Sequence, residues 1–126
     1  MIDHALVTQG IISAAIEVHR NLGPGLLESV YEECLCRELS EKGVGYDRQV
    51  EMPICYKGNM LNCGYRIDLI VEHEVVVELK AVSQLERVHE AQLLTYLRLT
   101  GKKVGLLLNF NVVLMKNGIK RLVNGL

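Results

Sequence analysis

The stretch Tyr65-Arg66-Ile67-Asp68-Leu69-Ile70-Val71-Glu72-His73-Glu74-Val75-Val76-Val77-Glu78-Leu79-Lys80 decides how this chain is read. Two runs rich in valine, isoleucine and leucine flank the polar segment Glu72-His73-Glu74, the pattern of two strands joined by a tight turn. Counting outward from a turn centred on His73 sets Asp68 opposite Glu78 in an antiparallel pair. Side chains alternate along a strand, so Ile67, Leu69, Val71, Val75, Val77 and Leu79 are expected on one apolar face. Arg66, Asp68, Glu78 and Lys80 are then expected on the other, with Ile70 and Val76.

Carboxylates directly opposite one another have Cβ atoms about 5 Å apart and repel unless something neutralises them. A divalent cation can do so. Hard cations accept carboxylate oxygens and keep several waters, the arrangement that polarises a phosphate and activates attacking water. Lys80 follows Glu78 by two residues and shares its face, where an ammonium can stabilise developing negative charge or orient that water. The hairpin alone also fits a surface ion-pair network in which Arg66 and Lys80 neutralise the two acids.

Working outward, Val7, Ile11, Ala14, Ala15 and Val18 recur at helical spacing over 3–20, with Asp3 or Thr8 available as a cap. Asn21-Leu22-Gly23-Pro24-Gly25 breaks that helix, and a second is expected over 26–42, with Gly43 as its stop. At 100° per residue Glu28 lies beside Leu35 and Leu39 and within about 60° of Tyr31, at the edge of the buried arc. Glu38 falls in the same arc near the helix end. A period of two runs from Tyr46 to Ile54, with Pro53 marking an edge strand, before a turn at Tyr56-Lys57-Gly58-Asn59. A third helix is expected over 85–100, carrying Gln92 on a stripe with Leu85, Val88, His89, Tyr96 and Leu99. Lys103 to Phe110 reads as a strand. Val112–Met115 and Ile119–Val123 are expected to pair across Lys116-Asn117-Gly118 as a C-terminal β-hairpin.

The 126 residues suit one domain, 1–126, and 49% hydrophobic with 23% charged residues is an ordinary globular composition. No apolar run reaches the roughly 20 residues that cross a bilayer, and MIDHALVTQG lacks the features of a secretory signal, so a cytoplasmic protein without a membrane partner is expected. Cys34, Cys36, Cys55 and Cys63 form no C-x-x-C pair or zinc-like spacing with histidine. Cys34 and Cys36 point about 200° apart on a helix, and reduced, packing cysteines are expected. The net charge of −1 excludes coating nucleic acid by bulk charge. Residues 91–126, however, hold six Lys/Arg and no acid, which predicts either a basic edge or a terminal strand with solvated lysines.

The segment 18–31, VHRNLGPGLLESVY, contains G-x-x-E-x-x-Y as Gly25, Glu28 and Tyr31, and the chain resembles the GxxExxY protein family. The resemblance continues through Tyr65–Leu69, Val77–Val82, His89–Tyr96 and Thr100-Gly101 to Asn109-Phe110. That family is similar to the PD-(D/E)xK nuclease superfamily. The resemblance implies an α/β (α+β mixed sheet) fold: a restriction-endonuclease-like core, α-β-β-β-α-β, with an extra N-terminal helix and the C-terminal β-hairpin. It sets Asp68 and Glu78 as the two acids and Lys80 as the lysine, with Ile67 where the superfamily's name has proline. The subclass with a core-helix acid and a Q-x-x-x-Y motif corresponds to Glu28, Gln92 and Tyr96.

The expected function is then Mg²⁺-dependent hydrolysis of a nucleic-acid phosphodiester, DNA ahead of RNA, with Mn²⁺ as substitute. Asp68, Glu78 and the Leu79 carbonyl would hold the ion, Glu28 through water; Lys80 would orient the attacking water, and Gln92 and Tyr96 would position Lys80 or a phosphate. His89 and His19 are read as phosphate contacts or as capping and packing residues. The alternatives are a catalytically silent binding or scaffold module on the same fold, including a homodimer, and a small phosphate-ester hydrolase.

Overall fold

The computed structural model describes residues 3–125, so the two ends of the expected 1–126 domain lie outside the described residues. Helix α1 spans His4–Leu22, and Asp3 caps it: its Oδ1 accepts the amides of Ala5 (2.9 Å) and Leu6 (3.4 Å). Thr8 lies inside the helix, its hydroxyl donating to the Ala5 carbonyl. Helix α2 spans Glu28–Glu41. Strands β1 (Tyr46–Tyr56), β2 (Asn59–Val71) and β3 (Val75–Lys80) follow, then helix α3 (Arg87–Thr100), strand β4 (Val104–Asn109), a 3₁₀ turn (Met115–Gly118) and strand β5 (Ile119–Val123).

The five strands form one mixed sheet in the order β1-β2-β3-β4-β5. Only β3 and β4 run parallel, and α3 is the crossover that a parallel pair requires. Pro53 sits in the edge strand β1, where its missing amide costs least. The tight turn joining β1 to β2 has Lys57 and Gly58 both at positive φ.

Both faces of the sheet's centre, β3, β4 and the end of β2, are covered. On one, Ile11, Ala14 and Val18 of α1 and Tyr31, Leu35 and Leu39 of α2 pack on Leu69, Val77, Leu106 and Leu108. On the other, Leu93, Tyr96 and Leu97 of α3 pack on Ile67, Ile70, Val76 and Leu107. Burial on this scale contributes about 1.5–3 kcal/mol per large apolar side chain and explains why β3 and β4 read as continuous hydrophobic runs. The expected division into one core face and one polar face is therefore corrected, since Ile70 and Val76 are core residues under α3. Ile67 also changes sides, packing with the α3 cluster while Leu69 packs under α1 and α2.

The C-terminal pairing is corrected as well. Ile119–Val123 pairs antiparallel with β4, from Leu108↔Ile119 to Val104↔Val123, rather than with Val112–Met115. A separate two-stranded hairpin would be marginal, whereas the open edge of a fully buried strand offers a complete ladder. Asn117-Gly118 closes the 3₁₀ turn, and Gly118 sits so close to the Asn109 carbonyl that no side chain fits there. Exposed Lys116, Lys120 and Arg121 lie on this last strand or just before it, with Lys120 paired to Glu90 at 3.6 Å, an arrangement that fits a basic edge and a terminal strand with solvated cations alike. All four cysteines are free thiols, but only Cys36 is buried and Cys34 partly so; Cys55 and Cys63 are exposed on the β1–β2 arm rather than packed. No helix among the described residues is long and apolar enough to cross a membrane.

Candidate active site

The β2–β3 ladder runs Val71↔Val75, Ile70↔Val76, Leu69↔Val77, the register that puts Asp68 and Glu78 next in line. The ladder stops there. Beyond it β2 continues with β1 and β3 with β4, and the two carboxylates fill the seam that opens. The Asp68 amide donates to Glu78 Oε2 at 2.7 Å, and the Leu79 amide donates to Asp68 Oδ2 at 2.9 Å. Each acid thus replaces a main-chain acceptor that strand separation removed. The N–H and C=O of a strand residue point the same way, so the Leu79 carbonyl also faces the seam, whereas the Lys80 carbonyl faces β4 and accepts the Phe110 amide at 2.9 Å.

The pair is under strong electrostatic tension. Burial pushes the Glu78 carboxyl from its ordinary 4.5 up to about 8, and the charge of Asp68 adds to it, outweighing the Asp68 amide and Lys80, which act the other way. Asp68 is raised too, mainly by burial, with smaller contributions from Glu32 and Glu28. Tyr96, only 3% exposed, is pushed up to about 12 by burial and by both acids. Burial and mutual repulsion thus favour a proton on the pair near neutral pH. The donors available to replace that proton are two carboxylates and one carbonyl, a hard-oxygen set that fits Mg²⁺ or Mn²⁺ completed by waters. It does not fit zinc, and the described residues contain no group of three or more metal-ligating side chains.

Lys80 reaches from the end of β3 to α3, where its Nζ donates to Gln92 Oε1 at 3.4 Å. Tyr96 lies one turn further along α3, its ring edge-to-face with Tyr65 at 5.3 Å. Asp68, Glu78, Leu79, Lys80, Gln92 and Tyr96 are therefore brought together by three elements, β2, β3 and α3. Arg66 is not part of the group; it pairs at the surface with Glu51 at 3.2 Å, which removes it from any network neutralising the acids. His89 Nδ1 accepts the Glu86 amide in a capping box, and His19 Nε2 bonds the Val112 carbonyl at 2.7 Å, so both are structural.

Glu28 is placed differently from its helical phase. It is the first residue of α2 and exposed, near enough to raise both Asp68 and Glu78 but bonded to neither. Its position is set by Tyr31, whose hydroxyl donates to the Gly23 carbonyl at 2.7 Å and accepts the Leu26 amide at 3.1 Å. The Tyr31 ring is stacked on Phe110 at 4.6 Å, and Gly25, at φ 96°, makes the turn. Gly25 and Tyr31 thus fold the loop that starts α2 and set the position of Glu28.

The buried acid of α2 is Glu32, 7% exposed, which accepts Arg48 Nε at 2.6 Å and Gln49 Nε2 at 2.8 Å. Gln49 Nε2 lies 3.5 Å from Asp68 Oδ1. These three residues were not expected, although Glu32 precedes Leu35 by three and Leu39 by seven, the spacing of a buried stripe.

A family profile described as the PD-(D/E)XK nuclease superfamily matches residues 5–122. Comparison with curated proteins and with solved structures gives no match.

Proposed function

The chain belongs to the PD-(D/E)XK nuclease superfamily, and from that premise we propose that it hydrolyses nucleic-acid phosphodiester bonds, DNA ahead of RNA, with Mg²⁺ as the working ion and Mn²⁺ as its substitute. Asp68, Glu78 and the Leu79 carbonyl would hold the ion, and Glu28 would reach it through water. The observation that carries this reading is the opened seam, in which two buried carboxylates face each other with no cation among the described residues bonded to either. When bound, the ion supplies charge neutralisation at the phosphate and lowers the pKa of coordinated water. Lys80, steadied by Gln92, orients the attacking water and stabilises charge developing on the phosphate oxygens. Tyr96 is too weak an acid to act as a base near neutral pH; its buried ring holds the wall of the site. The exposed cations of β5, Lys120 and Arg121, would supply phosphate contacts.

The direct test is incubation of the protein and its Asp68→Ala variant with labelled single- and double-stranded DNA and RNA, with Mg²⁺ or Mn²⁺. Metal-dependent cleavage lost in the variant is expected, and its absence on every substrate sinks the catalytic reading. One observation favours a silent binding module instead: each acid already satisfies a main-chain amide, as a purely structural seam filler would. Calorimetric titration with Mn²⁺ separates the two, because a seam filler that keeps its proton takes up no ion.

A further inference from the structure

Strands β1 and β2 keep one register from Tyr46↔Val71 to Pro53↔Gly64, with one step missing. Arg48 pairs with Leu69 and Val50 with Ile67, but Gln49 and Asp68 between them do not pair. The pleat inverts at the same step, since Leu69 and Ile67, two residues apart, pack on opposite faces of the sheet. Gln49 has φ 53°, a left-handed conformation that a residue with a β-carbon rarely adopts and that persists only where its surroundings over-determine it.

Those surroundings converge on the side-chain amide. Gln49 Nε2 donates to Glu32 Oε1 at 2.8 Å, while Glu32 Oε2 accepts Arg48 Nε at 2.6 Å, and Arg48 is tied on its other side to Glu33 at 2.6 Å. The anchor is thus a buried carboxylate fixed from two directions, and the same amide nitrogen lies 3.5 Å from Asp68 Oδ1. The residue type matters. A neutral amide has two hydrogens for two acceptors and can bridge Glu32 and Asp68 without cancelling the charge of Asp68, which a lysine or arginine there would do.

We propose that Gln49 is a positioning residue for Asp68: its left-handed backbone turns its amide into the seam, and the amide, anchored on Glu32, holds the Asp68 carboxylate with Oδ2 on the Leu79 amide. Its consequence for metal binding rests on the reading of the site proposed above, whereas the positioning itself does not. Asp68 needs such a hold because the main-chain pairing that would fix its strand is absent at this step on both sides, towards β1 and towards β3.

The test uses Gln49→Gly, which removes the amide while glycine tolerates the positive φ, so the fold is kept. Amide hydrogen exchange at Leu79 reports where the Asp68 carboxylate is, without metal or substrate, and Asp68→Ala provides the reference for its loss. Gln49→Gly is expected to speed Leu79 exchange roughly five- to tenfold and leave Val77, inside the ladder, unchanged. Mn²⁺ affinity should fall by a similar factor. Leu79 exchange that stays at the wild-type rate in Gln49→Gly, or that is not accelerated even in Asp68→Ala, overturns the proposal. Wild-type protein that binds no Mn²⁺ overturns the metal-site reading alone, and the exchange rates still decide the positioning.

Discussion

Replacing Glu78 by glutamine should remove a pH dependence of stability that only a buried, raised carboxyl can produce. Glu78 is 4% exposed and its pKa stands at about 8, raised by burial and then by Asp68, against 4.5 for the ordinary group. In the unfolded chain the proton leaves near pH 4.5, whereas the folded protein keeps it until about pH 8. Between those values the folded state binds more protons, so stability falls as pH rises and levels off above 8. Each pH unit inside the window costs up to about 1.4 kcal/mol, or roughly 3–4 kcal/mol between pH 5 and 8. Glutamine keeps an oxygen for the Asp68 amide but never ionises. Urea unfolding of metal-free wild type and Glu78→Gln from pH 5 to 9 should therefore give two curves that diverge with pH, the variant being the more stable at pH 8. Saturating Mn²⁺ should flatten the wild-type curve, because the ion takes the place of the proton. A difference between the two proteins that stays constant from pH 5 to 9 refutes the electrostatic account of the seam.

Tyr31→Phe keeps the stack on Phe110 but leaves the Gly23 carbonyl and Leu26 amide without their partner; a loss of about 1–3 kcal/mol in urea unfolding is expected. Lys80→Met should leave Mn²⁺ binding within a few-fold of wild type by calorimetry while slowing cleavage on the order of 10²–10³ in kcat, since its ammonium acts on the reacting groups rather than on the ion. Gly118→Ala should cost roughly 1–3 kcal/mol in thermal unfolding, because a Cβ there falls on the Asn109 carbonyl oxygen and the 3₁₀ turn must move.

What was legible in the sequence follows from what its patterns encode. Period-two alternation around a three-residue polar turn fixes register, and the ladder from Val71↔Val75 outward bears out the pairing line that leads to Asp68 and Glu78. The same alternation does not say whether a face meets solvent or a helix, so Ile70 and Val76 read as neighbours of the acids when α3 in fact buries them. Nor does it reveal an inverted pleat. Ile67 changes faces at the step where Gln49 takes a left-handed conformation, and nothing about a glutamine between Arg48 and Val50 announces a positive φ. Glu28 and Glu32 share one helical stripe, and phase alone cannot show that the first ends at the helix start and the second beneath Arg48. Asn117-Gly118 signals a turn correctly, but the partner of the strand that follows is chosen by the open edge of β4, a tertiary competition that local signals do not contain.

The residue types in the seam bear on whether it is more than a filler. Once β2 and β3 part, the amides of Asp68 and Leu79 need acceptors, and asparagine and glutamine would supply them as neutral groups of nearly the same shape. Two carboxylates perform that duty at the cost of mutual repulsion and desolvation, of the order of the 3–4 kcal/mol worked out for Glu78 alone, a large share of a small domain's total stability. Lys80, whose charge acts on both acids, is tied to Gln92 and bonded to neither. Satisfying two amides does not by itself call for ionisable groups. On the function proposed above a divalent ion would offset their cost, because the repulsion between the two carboxylates would become attraction to a shared cation.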